Sequence, residues 1–592
     1  MTPMTRSRGL LTTGAGAGSG SAARCFLDRR LTTSVLPDPW LARDGDAEFP
    51  AVIGNFTHIH VDALPLVLRK GVARRLFTRR TQMRTSAHAH SVVALLACLD
   101  ITVAIIIGVK AQQPTSQTTG SADWDLTVPE TVPDLNPDPR ILEINLTAVV
   151  AQVEVSPGRR IEAWTFNGTI PGPLIRLSVG DRLIVHFTNQ LPSPTTVHWH
   201  GLRVPIQMDG VPGASQAAVE TGGTFTYDFI VPDAGLYWYH PHVMSAAQVG
   251  FGLYGAFLVD DRSETFKVPD ERVFVLSDID ITEQGKLEDP QTGGSTGMAF
   301  GREGNTLLVN GRNHPRLTVR SGVTQRWHVV NAAKSRFFDL EPGDGMSFTK
   351  IGDDSGLQEY SQQLDSLVLA PGERADVLYT PTAKPGTEYA IHARLFNRGY
   401  GSVEARLGEE LLDVLVADTP ADTPAVTPVP HPKVTRAIEP IAQAGATPVA
   451  IEFGIEQSPF DKTFNYTING KPLDRIPPLK ATAGETQIWT VTNTTAWSHP
   501  IHLHGFFFQV LNKDGTPRRP LQWKDTVSVP FKDRLTLIVR FDDRSGSWMY
   551  HCHILDHAEG GLMSVVRLSR PGEAPPPLPS EHTPHGHSTS GR

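Results

Sequence analysis

Three stretches of the chain repeat one pattern: Gly180-Asp-Arg-Leu-Ile-Val-His-Phe-Thr-Asn189, Gly322-Val-Thr-Gln-Arg-Trp-His-Val-Val-Asn331 and Gly484-Glu-Thr-Gln-Ile-Trp-Thr-Val-Thr-Asn493, with the glycines 142 and 162 residues apart. Each copy is a turn glycine feeding an alternating strand that stops at asparagine, so the chain carries three versions of one β unit. That count suits 592 residues, too many for one ordinary domain.

Past residue 125 the sequence is mostly short alternating or β-branched runs between Gly, Pro, Asn and Asp, with almost no helical periodicity. Ile141 to Val155, Arg182 to Thr188, Thr224 to Val231 and Gly255 to Val259 are predicted strands, and the predicted fold class is all-β, with three β-sandwich domains. The expected boundaries are 125–265, 266–420 and 448–570. A Pro/Thr/Ala-rich linker occupies 421–447, and a Pro-rich tail, expected to be disordered, occupies 571–592. The tail histidines His582, His585 and His587 read as solvated rather than as a metal site.

Residues 1–111 stand apart. They carry 14 Lys plus Arg against 7 Asp plus Glu, which leaves −15 of the formal charge on residues 112–592. An acidic body argues against nucleic acid or an anionic membrane as the main partner. Residues 92–109 are apolar apart from Asp100 and run into Val109-Lys110-Ala111, a small-residue pattern suited to a signal peptidase. Export to the periplasm or the cell exterior, with cleavage near Ala111, is expected. A membrane anchor is the alternative, in which Asp100 would cost about 2.5 to 3.5 kcal/mol at mid-span. Residues 1–82 precede Met83, which begins a normal-looking signal peptide by itself.

Of the cysteines, Cys25 and Cys98 fall in that segment and Cys552 stands alone in the body, so no disulfide framework is available. A bare thiol in an exported protein calls for a metal partner. Cys552 lies between His551 and His553, and a strand alternates faces, so the two imidazoles point one way and the thiol the other. One strand can therefore serve two metal sites. A thiolate with two imidazoles is the ligand set of a blue-copper centre, and His557 supplies one of them.

Four His-X-His pairs lie in the body: His198 with His200, His240 with His242, His502 with His504, and His551 with His553. Their contexts match in pairs. Val197-His-Trp-His-Gly201 parallels Ile501-His-Leu-His-Gly505, and Trp238-Tyr-His240-Pro-His242 parallels Trp548-Met-Tyr-His551-Cys-His553. The middle unit offers only Tyr389-Ala-Ile391-His-Ala393 in the corresponding place. Units one and three must then meet, each giving four histidines to one shared site. Eight imidazoles suit three metal ions rather than one, and copper binds such donors most tightly among the divalent ions.

These motifs, over roughly residues 135–570, resemble the multicopper oxidases, whose three domains are cupredoxin-like Greek-key sandwiches. The resemblance implies four copper ions. His499, Cys552 and His557 would hold a type 1 copper, and His198 and His502 a type 2 copper. His200, His240 and His553 would hold one type 3 copper, and His242, His504 and His551 the other. It also implies that an electron enters through a solvent-facing His499 and crosses from Cys552 to His551 or His553, and that four electrons reduce dioxygen to water. Asp209 resembles the family's proton-delivering carboxylate, with a backbone-bonded turn residue as the plain alternative.

The sequence departs from the family pattern at two positions. Where some relatives carry an axial methionine, this chain has Leu562, with Met563 next to it, and a missing thioether raises the type 1 potential. Where some carry a second acid after the last type 1 histidine, it has Ala558, with Glu559 the nearest replacement. The expected reductant is a small phenol or aromatic amine. Metal ions are the alternative, although the 9 Met are scattered and build no methionine-rich segment. A copper-free cupredoxin scaffold would have lost ligands that this chain retains.

Overall fold

Each of the three repeats forms a central strand with a parallel neighbour on one side and an antiparallel one on the other. Arg182–Asn189 lies between Ile141–Ser156 and Thr224–Ile230. Gln325–Asn331 lies between Asp270–Ile279 and Arg374–Tyr379, and Thr486–Asn493 between Thr447–Gln457 and Arg534–Arg540. The closing asparagine turns the same corner each time. Asn189, Asn331 and Asn493 accept from the N–H two residues on at 2.9 to 3.0 Å, and each amide nitrogen donates to nearby backbone carbonyls. That short side chain satisfies backbone groups where the ladder stops, which is why the repeat ends on it.

The computed structural model describes residues 124–268, 270–343, 345–399, 408–418, 438–457 and 464–578. The expected signal segment at 92–109, most of the linker and the tail histidines lie outside the described residues.

In the first unit, the sheet ordered Arg159–Phe166, Ile141–Ser156, Arg182–Asn189, Thr224–Ile230 faces one ordered Gly172–Ser178, Gly255–Asp260, Gly235–His240, His198–His200. Leu183, Val185, Phe187 and Tyr227 of one sheet bury against Trp199, Tyr239 and Phe257 of the other. The chain passes back and forth between the sheets, as in a Greek key. The middle unit packs six- and five-stranded sheets around Trp327, Phe348 and Tyr379. The third packs two five-stranded sheets around Trp489, Phe508 and Trp548.

Two expected boundaries shift. Residues 125–127, assigned to the first unit by sequence, bond with the preceding Trp124 to the middle one: Leu126 N–H donates to Arg316 O at 2.7 Å, and the Trp124 indole to Asn313 O at 2.9 Å. Arg316–Arg320 is an edge strand, and its open row of backbone groups takes up the segment. The tail, expected to be disordered from 571, is held at its start. Arg567 donates to Pro575 O and Pro576 O, and Ser547 to Pro577 O. A proline run leaves its carbonyls free to accept such bonds.

Three short helices, Ser245–Gly250, Gly294–Phe300 and Leu555–Glu559, come from the three different units and meet beside the histidines.

Candidate metal centres

The third unit sorts its ligands by strand register. Gly546–Cys552 runs antiparallel to His499–Leu503, with Ile501 opposite Cys552 and His502 opposite His551. Cross-strand partners share a face. Ile501, Leu503, Tyr550 and Cys552 therefore enter the core of the third sandwich, with His499 on their face, while His502 and His551 point out of it. In the first unit His198 stands opposite His240, while Trp199 and Tyr239 turn inward.

On the inward face, Cys552 Sγ lies 3.5 Å from His499 Nδ1 and 3.8 Å from His557 Nδ1, and the two nitrogens are 3.1 Å apart. Donors held about 2.0 to 2.3 Å from one ion sit roughly 3 to 4 Å from each other, so this triangle has the size of a three-ligand metal site. Leu562 is wholly buried in the same cluster as Cys552, and Met563 packs elsewhere, beside Val211, Met549 and Val565. The position beside the thiol therefore carries no sulfur ligand. Burial pushes the Cys552 thiol well up and the His499 imidazole down to about 3, so a cation is needed to hold the thiolate.

His499 does not face solvent as expected; it and His557 are both 0 % exposed. Thr495 Oγ1 lies 2.8 Å from His499 Nε2, and the rings of Phe453 and Tyr466 stand edge-on to His499. Tyr466 donates to Ala299 O at 2.6 Å, which seats the helix Gly294–Phe300 of the middle unit over this end of the sandwich.

On the outward face the eight histidines interleave. His198 stacks on His504 at 3.9 Å and His200 on His502 at 3.8 Å, each pair joining unit one to unit three. Donor atoms of His200, His240 and His553 lie within 4.8 Å of one another, as do those of His242, His504 and His551, and those of His198, His200 and His502. The ring orientations are set from behind. His198 Nδ1 donates to Asp209 O at 2.7 Å, His502 Nδ1 to Asp525 O at 2.9 Å, His240 Nδ1 to Pro241 O at 3.0 Å and His551 Nδ1 to Cys552 O at 2.8 Å. A proton on Nδ1 leaves the Nε2 lone pair pointing inward, the tautomer a metal requires.

Seven buried ring nitrogens on His198, His200, His240, His502, His553 and His557 have no hydrogen-bond partner. Leaving a buried polar atom unsatisfied costs roughly 1 to 3 kcal/mol. Burial also holds His200, His240, His242, His504 and His553 well below the ordinary imidazole range, and His551 down to about 3, so they are neutral ligands near pH 7. Converging neutral lone pairs in a dry site fit several soft or borderline cations, and copper suits this donor set.

The two candidate acids fare differently. Asp209 is 1 % exposed, accepts from His504 Nδ1 at 2.9 Å and stands 3.5 Å from His198 Nδ1, so it sits behind one histidine from each unit. Burial pushes its carboxyl up, but His504 and His198 more than reverse that and hold it well below the usual range. Gly210 follows at φ +80, where a Cβ would meet Val197 O, so the turn admits only glycine. Glu559 is half-buried and accepts from Ala246 N–H at 2.9 Å, where the helices Leu555–Glu559 and Ser245–Gly250 meet; burial pushes it up to about 7.

The sequence reading missed Asp525 and Arg374. Asp525 Oδ1 lies 3.0 Å from His200 Nε2 and accepts from Arg374 Nη1 at 2.7 Å. Arg374, in the unit without ligands, also donates to Leu236 O of the first unit at 3.0 Å, so one guanidinium ties all three units behind the histidines.

Sequence profiles of multicopper oxidases match residues 148–264, 270–409 and 446–571. A multicopper oxidase of Mycobacterium tuberculosis, MmcO, is 31% identical over 468 residues, covering 72% of this chain and 86% of the relative. A laccase of Bacillus subtilis is 27% identical over 481 residues, 69% of this chain and 90% of the relative. The crystal structure of a multi-copper oxidase from Pseudomonas thermotolerans superposes with a TM-score of 0.63 at 29% identity, covering 72% of this chain and 99% of that one. Three cupredoxin-like sandwiches, a buried thiol with two imidazoles and eight interleaved histidines agree with these matches, and the chain belongs to the multicopper oxidase family, copper-dependent oxidoreductases that use dioxygen as electron acceptor.

Proposed function

We propose that the protein is a laccase-like oxidase, coupling one-electron oxidation of phenols or aromatic amines to the four-electron reduction of dioxygen to water. The observation that carries this reading is the joining of two donor sets through one strand end, with Cys552 on the inward face and His551 on the outward one. In this reading four copper ions are held. His499, Cys552 and His557 take the type 1 ion and His198 and His502 the type 2 ion. The two type 3 ions fall to His200, His240 and His553, and to His242, His504 and His551. Bound copper supplies one-electron storage and a binding place for dioxygen.

The chain supplies the rest. Cys552 is bonded covalently to His551 and His553, and its carbonyl accepts from His551 at 2.8 Å, so an electron has a short bonded route between the faces. Asp209, pinned between His198 and His504, and Glu559 at the helix junction are the proton-delivering acids.

Outer-sphere entry is supported by a run of rings. Phe300, 40 % exposed, lies 5.4 Å from Trp497, whose indole donates to the Tyr466 hydroxyl at 2.9 Å, and Tyr466 is 4.7 Å from the His557 ring. An aromatic surface favours a planar aromatic reductant. Cuprous-ion oxidation is the second reading, favoured by Met298, whose sulfur lies against Gly560 beneath the same helix. Export to the periplasm or cell exterior belongs to the proposal and is tested by N-terminal sequencing of secreted protein.

Oxygen uptake by copper-loaded protein with a phenol, an aromatic amine, Cu(I) and Fe(II) side by side discriminates the readings. Uptake confined to the metal ions rejects the laccase-like reading, and no uptake with any of the four rejects both.

A further inference from the structure

Arg398 is a buried cation that neither ligand set uses. It is 4 % exposed and belongs to the middle unit. Its Nη1 donates to Ser335 O at 2.9 Å and its Nη2 to Phe300 O at 3.0 Å, at the end of the covering helix. Its own carbonyl accepts from Ser498 N–H at 2.7 Å, one residue before His499. The guanidinium also reaches Gly301 O at 3.5 Å, and Gly301 packs so closely on Ile554 that an added Cβ would come within 2.6 Å of it. Ile554 is two residues past Cys552. Arg398 is thus tied to the residue before His499 and, through Gly301 and Ile554, to the chain just past Cys552, one side-chain layer behind the Cys552, His499 and His557 triangle.

The opposing charge is weaker at this place. Glu303 Oε1 stands 2.8 Å from Arg398, but it is 22 % exposed on its side chain and shared with Arg336 at 3.5 Å. Water screens the carboxylate more than the guanidinium, and an arginine keeps its proton when buried.

We infer that Arg398 is a positioning residue for the type 1 site that holds its reduction potential up, with Glu303 as the partial brake. The inference rests on the assignment of that site to Cys552, His499 and His557. With one thiolate and two neutral imidazoles, a cupric ion leaves one net positive charge and a cuprous ion none. A fixed cation nearby disfavours the cupric state, so the electron is held more readily. The effect has the same sign as the missing thioether at Leu562.

Redox titration of the copper-loaded protein, followed through the visible thiolate-to-copper band, tests this. Arg398→Gln is expected to move the midpoint to lower potential, Arg398→Lys to stay near wild type, and Glu303→Gln to move it higher. Opposite shifts from the two neutralised partners cannot come from loosened packing, which would move both the same way. A midpoint unchanged in Arg398→Gln, or shifted alike in both, overturns the inference. Should Arg398→Gln fail to fold, an unchanged or lower midpoint in Glu303→Gln overturns it. Absence of the band in wild-type protein instead removes the type 1 assignment beneath it.

Discussion

Replacing Asp525 by Asn removes one negative charge where no water can compensate. Arg374 and Asp525 are 0 and 1 % exposed, and Asp525 accepts from Arg374 Nη1 at 2.7 Å and Thr526 Oγ1 at 2.8 Å while standing 3.0 Å from His200. The remaining carboxylate beside Arg374 is Asp354 at 3.6 Å, itself engaged by Lys524 at 3.2 Å. Removing one partner of such a buried pair costs about 3 to 5 kcal/mol, mostly as the penalty of the stranded guanidinium. At about 2 to 4 °C per kcal/mol, Asp525→Asn should lower the melting temperature by roughly 6 to 20 °C. The double variant Arg374→Met with Asp525→Leu removes both charges and should recover most of that loss. It cannot recover the contact to His200, so copper retention should fall about 10- to 100-fold in both variants. Calorimetry together with copper content after dialysis against a chelator separates the two effects. An Asp525→Asn protein melting within about 2 °C of wild type, or a double variant no better than the single one, refutes the reasoning.

Leu562→Met puts a thioether beside Cys552 in a near volume-conserving exchange costing less than about 1.5 kcal/mol, and should lower the type 1 potential in the same redox titration. Asp209→Asn should cut oxygen uptake by about 100-fold or more while leaving the visible thiolate-to-copper band in place, because Asp209 touches His198 and His504 but not Cys552. His328, on the central strand of the middle unit, lies between Glu271 at 2.8 Å and Asp376 at 2.9 Å. Burial pushes its imidazole down, but Asp376 and Glu271 outweigh that and raise it above the ordinary value. A raised histidine stabilises the fold fully below about pH 6.5, and the contribution is lost as pH rises through the folded value. His328→Gln should therefore flatten the fall in melting temperature above pH 6.5, and an unchanged slope would exclude the ion pair as its cause.

Much of the site was legible because its ligands come from strands. Alternation alone separates Cys552 from His551, and matched contexts pair His198 with His502 across 300 residues of chain. The exposure of His499 was misread for a reason of the opposite kind. Its cover is Phe453 and Tyr466, and Tyr466 is held by the helix Gly294–Phe300, built from a Gly-rich stretch with no apolar period, so nothing near His499 in sequence announces it. Arg374 and Asp525 escaped notice likewise, since they are 151 positions apart and each alone reads as a surface charge.

The sequence by itself determined the all-β class, the three-fold repeat and the candidate metal ligands, because turn glycines, strand period and His-X-His spacing are local properties that survive without the fold. Only the tertiary structure decided what stands behind those ligands. Arg374 and Asp525 bracing His200, Arg398 a layer behind Cys552 and the rings of Phe453 and Tyr466 over His499 all depend on burial, and burial is set by residues brought together from distant parts of the chain. The strength of a charge follows from the water it has lost, which no stretch of sequence records.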